Sequence, residues 1–177
     1  MKINTLSIDR LTTERLILIP LTIKMCENIL NHDFSDWPAL GLKKEKRWPD
    51  SDFIEIIPKI INNLSLAEGP TGFESWLIIR KDTLEVIGDA GFKGYNFNEK
   101  NADIGYGIIS EERRKGFAEE AVKELIRWAF STGIVDEITA RCLLDNVNSI
   151  NFLKKLNFTE IKQDAEMKYW TLQNHLV

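Results

Sequence analysis

Apolar positions along this chain recur with a period of two in some stretches and near 3.6 in others, and the changes of period mark its elements. Leu16-Ile17-Leu18-Ile19, closed by Pro20, predicts a short buried strand. Thr22 can cap a helix running to about Asn31. A second helix is predicted from Ser51 to Ala67, kinked or split at Pro58, and Glu68-Gly69-Pro70-Thr71-Gly72 ends it. Three strands follow as a meander: Trp76 to Ile79, Val86 to Phe92 beyond a Lys81-Asp82 turn, and Ala102 to Ile109. Gly105 and Gly107 inside the third of these predict a bulge or a close backbone approach.

The helix from Gly116 to about Thr132 has the strongest pattern. Phe117, Ala121, Val122, Leu125, Ala129 and Phe130 share one face, Glu119 and Lys123 pair on another, and Gly133 fits the position after the helix end. A strand from Ile138 to Leu144, a short helix from Val147 to Leu156, and a hairpin of Phe158–Ile161 with Met167–Leu172 complete the order β-α-α-β-β-β-α-β-α-β-β. There is no repeat or linker, so residues 1–177 are expected to form one domain. The irregular stretch from His32 to Asp52, with Phe34, Trp37, Trp48 and the basic run Lys43–Arg47, predicts a lid or binding loop packed by its aromatics.

Composition narrows the partners. A hydrophobic content of 44% argues against disorder, and a net charge of −4 gives no global field for nucleic acid or an anionic membrane. Cys26 and Cys142 stand far apart and in no metal-ligand spacing, so neither a disulfide framework nor a metal is expected. Met1 to Arg10 lacks an apolar core, and no run reaches the length of a membrane span, so a cytoplasmic setting is expected. His32 and His175 have no recognisable partner in the sequence.

Against that acidic background, Arg113-Arg114-Lys115-Gly116-Phe117-Ala118 is a local basic cluster between a strand and the strongest helix. A helix N-terminus leaves backbone N–H groups unpaired, and the helix dipole favours an anion there, so a phosphate or pyrophosphate suits this loop. The same loop can also be an ordinary helix entry with solvated charges. It lacks the Gly-Lys-Ser/Thr of a P-loop, and no Rossmann glycine triplet is present.

The spacing Arg-x-x-Gly-x-Ala resembles the pyrophosphate loop of the GNAT acetyltransferases. Thr13-Glu14-Arg15-Leu16-Ile17-Leu18, Ala102-Asp103-Ile104-Gly105-Tyr106 and Asp145-Asn146-Val147-Asn148-Ser149-Ile150-Asn151-Phe152 through Phe158 resemble its RimJ/RimL branch, the ribosomal-protein N-acetyltransferases. The resemblance covers roughly residues 12–172 and implies an α/β (α+β) fold. Its sheet would be mixed, mostly antiparallel and twisted, of about seven strands splayed between the fourth and fifth, and flanked by about four helices. Two residues depart from the branch: Asn157 replaces a glycine, which an Asn in the left-handed region accommodates, and Asp103 replaces a glutamate. Leu153 stands where many GNAT enzymes have a tyrosine.

The resemblance implies transfer of the acetyl group of acetyl-CoA directly to an amine, without metal. The acceptor would be a protein N-terminus or a small molecule, and the protein a monomer or homodimer. Backbone groups of Arg113, Arg114, Lys115, Gly116, Phe117 and Ala118 would hold the pyrophosphate; Ile108 and Ile109 would pair with the pantetheine arm. Asn146 would bond the pantetheine or a water, and Ser149 would bind beside it and donate a proton to the departing thiolate. A carboxylate acting through water would serve as base, Asp103 first and Glu74 second. Each has a plainer reading: Asn146 and Ser149 as helix-capping residues, Asp103 as an edge charge. From another functional class, the chain could be a non-catalytic acyl-CoA-binding or regulatory module.

Overall fold

In the computed structural model, which describes residues 8–67 and 69–174, these elements build one eight-stranded sheet flanked by helices. The start of the chain to Ser7, Glu68 of the predicted breaker, and His175 lie outside the described residues. The strand not foreseen is β1, Leu11–Thr12, which pairs antiparallel with β2, Leu16–Pro20, through Leu11↔Leu18. Two residues are too short to carry a period. Their turn is closed by Thr13, whose Oγ1 accepts from the Leu16 N–H at 3.0 Å.

Helix α1 spans Ile23–Leu30 and is capped as expected, the Thr22 side chain accepting from the Met25 N–H at 3.2 Å. Helix α2, Ser51–Ser65, starts at Asp50, whose Oδ1 accepts from the Phe53 N–H at 3.0 Å. It runs unbroken through Pro58. That proline lies on the exposed side, while Phe53, Ile57, Ile60 and Leu64 form the buried stripe that holds the helix down.

Strands β3 (Ser75–Arg80), β4 (Val86–Phe92) and β5 (Asn101–Ile108) form the antiparallel meander. Helix α3 (Phe117–Ser131) crosses to β6 (Glu137–Leu143), and α4 (Val147–Lys155) leads to the hairpin of β7 (Thr159–Gln163) and β8 (Met167–Gln173). The sheet order is β1-β2-β3-β4-β5-β6-β8-β7. The β4–β5 register is unbroken from Gly88↔Ile108 to Phe92↔Ile104, so the bulge expected near Gly105 and Gly107 is absent there. The irregularity falls in β3, between Ile78 and Ile79. The close approach is real: a Cβ on Gly88 would lie 2.1 Å from the Gly107 carbonyl oxygen.

Helix α3 packs on β2, β4 and β5, with Trp128 set among Phe73, Trp76 and Phe92 at ring separations of 5.1, 5.6 and 6.4 Å. Helices α1 and α2 pack on each other. Phe34, Trp37, Trp48 and Phe53 stack in sequence beneath the irregular segment, as expected of packing aromatics. No helix among the described residues is long and apolar enough to cross a membrane.

Candidate functional site

The site begins where two strands part. β5 and β6 run parallel and pair only through Asn101↔Glu137, Ala102↔Ile138 and Asp103↔Thr139; beyond Asp103 the ladder stops while both strands continue. The splay expected between these strands is therefore present. The Lys93 N–H donates to the Asp103 carbonyl at 2.9 Å and the Ile109 N–H to the Ile87 carbonyl at 3.0 Å. In an antiparallel pair such bonds recur at alternate residues, so Tyr106 and Ile108 turn their backbone groups away from β4, into the fork. A cavity of about 1230 Å³ opens there, bounded by α2, β4, β5, the start of α3, β6 and α4. That exceeds the usual volume of a single small-molecule site, about 300–1,000 Å³.

The basic loop forms one wall. After a one-turn helix at Ser110–Glu112, Arg113 is extended and its Nε donates to the Ile108 carbonyl at 2.9 Å. Arg114 and Gly116 then take φ of 62° and 83°, both in the left-handed region. Gly116 is the N-cap of α3 and leaves its first turn without a side-chain cap, so the amides there stay open to a ligand. Ile108, Ile109, Arg113, Arg114, Gly116, Phe117 and Ala118 all border the cavity. Lys115 does not; its ammonium pairs with Glu112 at 3.0 Å and its carbonyl accepts from Arg15 Nη1 at 2.9 Å. The Ile109 N–H is committed to Ile87, which leaves the Ile108 and Tyr106 backbones facing the fork.

Asn146 and Ser149 border the opposite wall. Asn146 caps α4, its Oδ1 accepting from the Ser149 N–H at 3.0 Å, so its expected capping role is met while it faces the cavity. Tyr106, from the Ala102–Tyr106 motif, stacks on Phe152 at 4.3 Å, with Ser149 close enough to act on its phenol. Burial raises the Tyr106 phenol above its ordinary value, and the neighbouring Ser149 works against that rise. Leu153 is buried in the core. The link between Tyr106 and Ser149 was invisible in sequence because the two residues lie on different elements.

Three carboxyl groups differ sharply in surroundings. Asp103 sits at the point where β5 and β6 part, bonded by Lys93 Nζ at 2.8 Å and facing Arg141 Nε at 3.5 Å. Glu74 is buried beside the Gly72 turn, one oxygen accepting from the Thr71 hydroxyl and the other from the Thr71 N–H, both at 2.8 Å. Burial raises its pKa, and the Thr71 bonds oppose the rise. Neither Asp103 nor Glu74 borders the cavity.

Asp89, which the sequence reading passed over, does border it. It is 8% exposed in a strand whose residues are all buried. Among the described residues no donor bonds its carboxyl and no cation pairs with it. Gly107, directly opposite on β5, makes room: a Cβ there would lie 3.5 Å from Asp89 Oδ1. Burial, with the nearby negative charge of Asp50, pushes its pKa up to about 7. The available signal was a lone acid in Val-Ile-Gly-Asp-Ala-Gly-Phe, a run otherwise apolar or small.

The cavity thus joins a helix terminus left without a side-chain cap to a buried carboxyl group, across a gap lined by exposed strand backbone. Comparison with known proteins identifies the family. Residues 15–159 match the model of the acetyltransferase (GNAT) domain. The uncharacterized N-acetyltransferase YjdG of Bacillus subtilis is 38% identical over 160 residues, covering 90% of this chain and 95% of that protein. The uncharacterized N-acetyltransferase p20 of Bacillus licheniformis is 32% identical over 150 residues, covering 85% and 82%. The fold is shared with the microcin C7 self-immunity acetyltransferase MccE, solved with acetyl-CoA and AMP, at 15% identity, TM-score 0.62 and coverage of 92% and 94%. It is also shared with RimL, the ribosomal L7/L12 α-N-protein acetyltransferase, solved with coenzyme A, at 16% identity, TM-score 0.66 and coverage of 91% and 95%. This chain belongs to the GNAT acetyltransferase family and is an acyltransferase enzyme, an N-acetyltransferase.

Proposed function

We propose that the protein transfers the acetyl group of acetyl-CoA directly to an amine, with Asp89 as the base that takes the amine proton. The observation that carries this reading is Asp89 itself: a carboxyl group with no structural partner, at the cavity, with a pKa of about 7. A base is most effective when its pKa lies near the working pH. Asp103 and Glu74 are held by ion pairs or turn hydrogen bonds away from the cavity, which supports structural roles for them.

The remaining parts divide by chemistry. Open amides at the start of α3, with Arg114 and Gly116, suit the pyrophosphate. The fork-facing backbone of Tyr106 and Ile108 suits the pantetheine amides, and an N–H there can polarise the thioester carbonyl. Ser149, close to Tyr106, is a proton donor for the leaving thiolate, and Asn146 fixes the start of the helix that carries it. A thiol of pKa about 8.5 leaves readily, so this assistance is small beside proton removal from the amine.

The acceptor is a protein N-terminal α-amine, by analogy with the named activity of RimL, or a small-molecule amine. Calorimetric titration with acetyl-CoA, followed by CoA release over a broad amine panel, tests the reading. Binding with turnover is expected. Binding without turnover on any amine would instead identify a non-catalytic acyl-CoA-binding module.

A further inference from the structure

We infer that the acceptor carries a second positive charge beside its reacting amine, and that Asp50 is the residue that selects it. This rests on the acetyl-transfer reading and extends it to the class of acceptor.

The residues of β4 alternate faces, and Phe92 meets Trp128 of α3. Asp89, three residues earlier in an unbroken register, lies on the opposite face from α3. Toward that side the cavity is bordered by the beginning of α2, where Asp50 and Asp52 stand one turn or less from the helix start. Asp50 is close enough for its charge to act on Asp89. The cavity therefore has three carboxyl groups on its acceptor side, and one reacting amine needs only one base.

The two at the helix start have a structural reason to be there. Asp50 caps α2, and Asp52 in the first turn complements the helix dipole. Capping engages only one Asp50 oxygen, Oδ1. Asp89 has no such reason. A buried carboxyl group without a hydrogen-bond partner is costly, and an apolar residue would suit this all-buried strand better. Facing it with a second carboxylate worsens the cost, unless a cation occupies the space between them during function.

Among the described residues, the basic side chains that border the cavity do not fill that role: Lys155 of α4 pairs with Glu119. Lys93 borders the cavity but is held by Asp103 at 2.8 Å, and Lys59 lies exposed farther along α2. The arginines of the cavity, Arg113, Arg114 and Arg141, stand on the loop and β6, at the end assigned to the anionic cosubstrate. Trp48, Phe53 and Ile56 line the wall next to Asp50 and offer an apolar surface for a carbon chain between two cationic centres. The fitting class is a diamine or polyamine, or a peptide whose reacting amine is followed by a basic side chain.

The test uses the full chain with saturating acetyl-CoA and reads CoA release for matched acceptors: alkyl monoamines against diamines, and short peptides with a neutral or a basic second residue. The parent protein is expected to favour the dicationic member of each pair by about tenfold or more in kcat/KM. Asp50→Asn keeps the helix cap, because asparagine caps as well as aspartate, and removes only the charge. It should cut that preference by about tenfold, with an unchanged melting temperature and unchanged acetyl-CoA affinity. Asp52→Asn, farther out, should cut it less. Equal use of singly and doubly charged acceptors by the parent, or a preference that survives Asp50→Asn, overturns the inference and leaves acetyl transfer standing. Acetyl-CoA binding with no CoA release from any amine overturns both.

Discussion

Arg15 and Glu120, 105 residues apart in sequence, form a clasp between the start of β2 and the first turn of α3: Arg15 Nε lies 2.6 Å from Glu120 Oε2, and the Arg15 N–H donates to Oε1 at 2.8 Å. The Thr13 hydroxyl donates to the same Oε1 at 2.5 Å. The Arg15 guanidinium continues to the Lys115 carbonyl and lies 4.5 Å over the Phe117 ring. Burial opposes the charge on Glu120, but the bonds from Thr13 and Arg15 outweigh it and hold its pKa below the usual carboxylate range. The Thr13–Leu18 motif is therefore the brace of the basic loop.

Arg15→Ala should accordingly weaken acetyl-CoA binding more than folding. The arginine side chain is 45% exposed, and exposed pairs contribute little to stability, about 0–1 kcal/mol. Freeing the loop should raise the dissociation constant for acetyl-CoA by roughly tenfold, while the acceptor KM changes little. Calorimetry beside a thermal melt separates the two effects. A large fall in melting temperature with unchanged affinity would make the clasp purely structural.

Gly116→Asp should abolish acetyl-CoA binding. The backbone there has φ of 83°, which side chains rarely adopt, and an added Cβ would sit 3.2 Å from Arg15 Nη2. The strain costs about 1 kcal/mol, and a carboxylate at the helix start would repel a pyrophosphate. Gly116→Ala carries the strain without the charge, so it should retain measurable binding. If the Asp variant binds acetyl-CoA as tightly as the parent, the helix terminus is not the pyrophosphate site.

How much of this was legible beforehand follows from the range of each interaction. Local signals read well: Thr22 and Gly116 cap helices at the expected places, Gly133 follows α3 with φ of 67°, and Asn157 takes φ of 64° where the resembling branch has glycine. The start of α3 after the basic loop and the Asn146 cap on the Ser149 N–H were legible because both depend on neighbours in sequence. Pro58 does not split α2, because the buried stripe that holds the helix together is a tertiary effect. The carboxyl groups were the hardest. Asp103 and Glu74 stood out by motif and position, yet Lys93, Arg141 and Thr71 decide their state, and none of those pairings is written in a local pattern. Asp89 is distinguished by the partners it lacks, which only packing can reveal.

Ser149→Ala should lower kcat by roughly ten- to a hundredfold, with acetyl-CoA affinity nearly unchanged, because the hydroxyl faces the cavity while its backbone N–H keeps the Asn146 cap. Tyr106→Phe removes only the hydroxyl beside Ser149 and should have a smaller effect on kcat. In the double variant the two losses should not add, since the two hydroxyls are neighbours at one site. Steady-state rates of the two single variants and the double variant check this; additive losses would separate Tyr106 from Ser149.

Asp89 makes a paired prediction on rate and stability. As the base it must be ionised, so kcat/KM should rise with pH through a midpoint near 7 and level off above it. Asp89→Asn should remove that limb along with most of the activity. Stability must move the opposite way. The folded pKa of about 7 lies above the ordinary value of 3.8, so between those values the folded state holds a proton that the unfolded chain has lost. Stability from this group is thus present at low pH and drains away as pH rises toward 7. Relative to the parent, the Asn variant should gain roughly 2–3 kcal/mol between pH 5 and pH 8, because the amide never has to ionise in the buried strand. Urea denaturation of both proteins at the two pH values measures the difference. A constant gap would mean that Asp89 titrates in its ordinary range, and the base would then have to be sought elsewhere in the cavity.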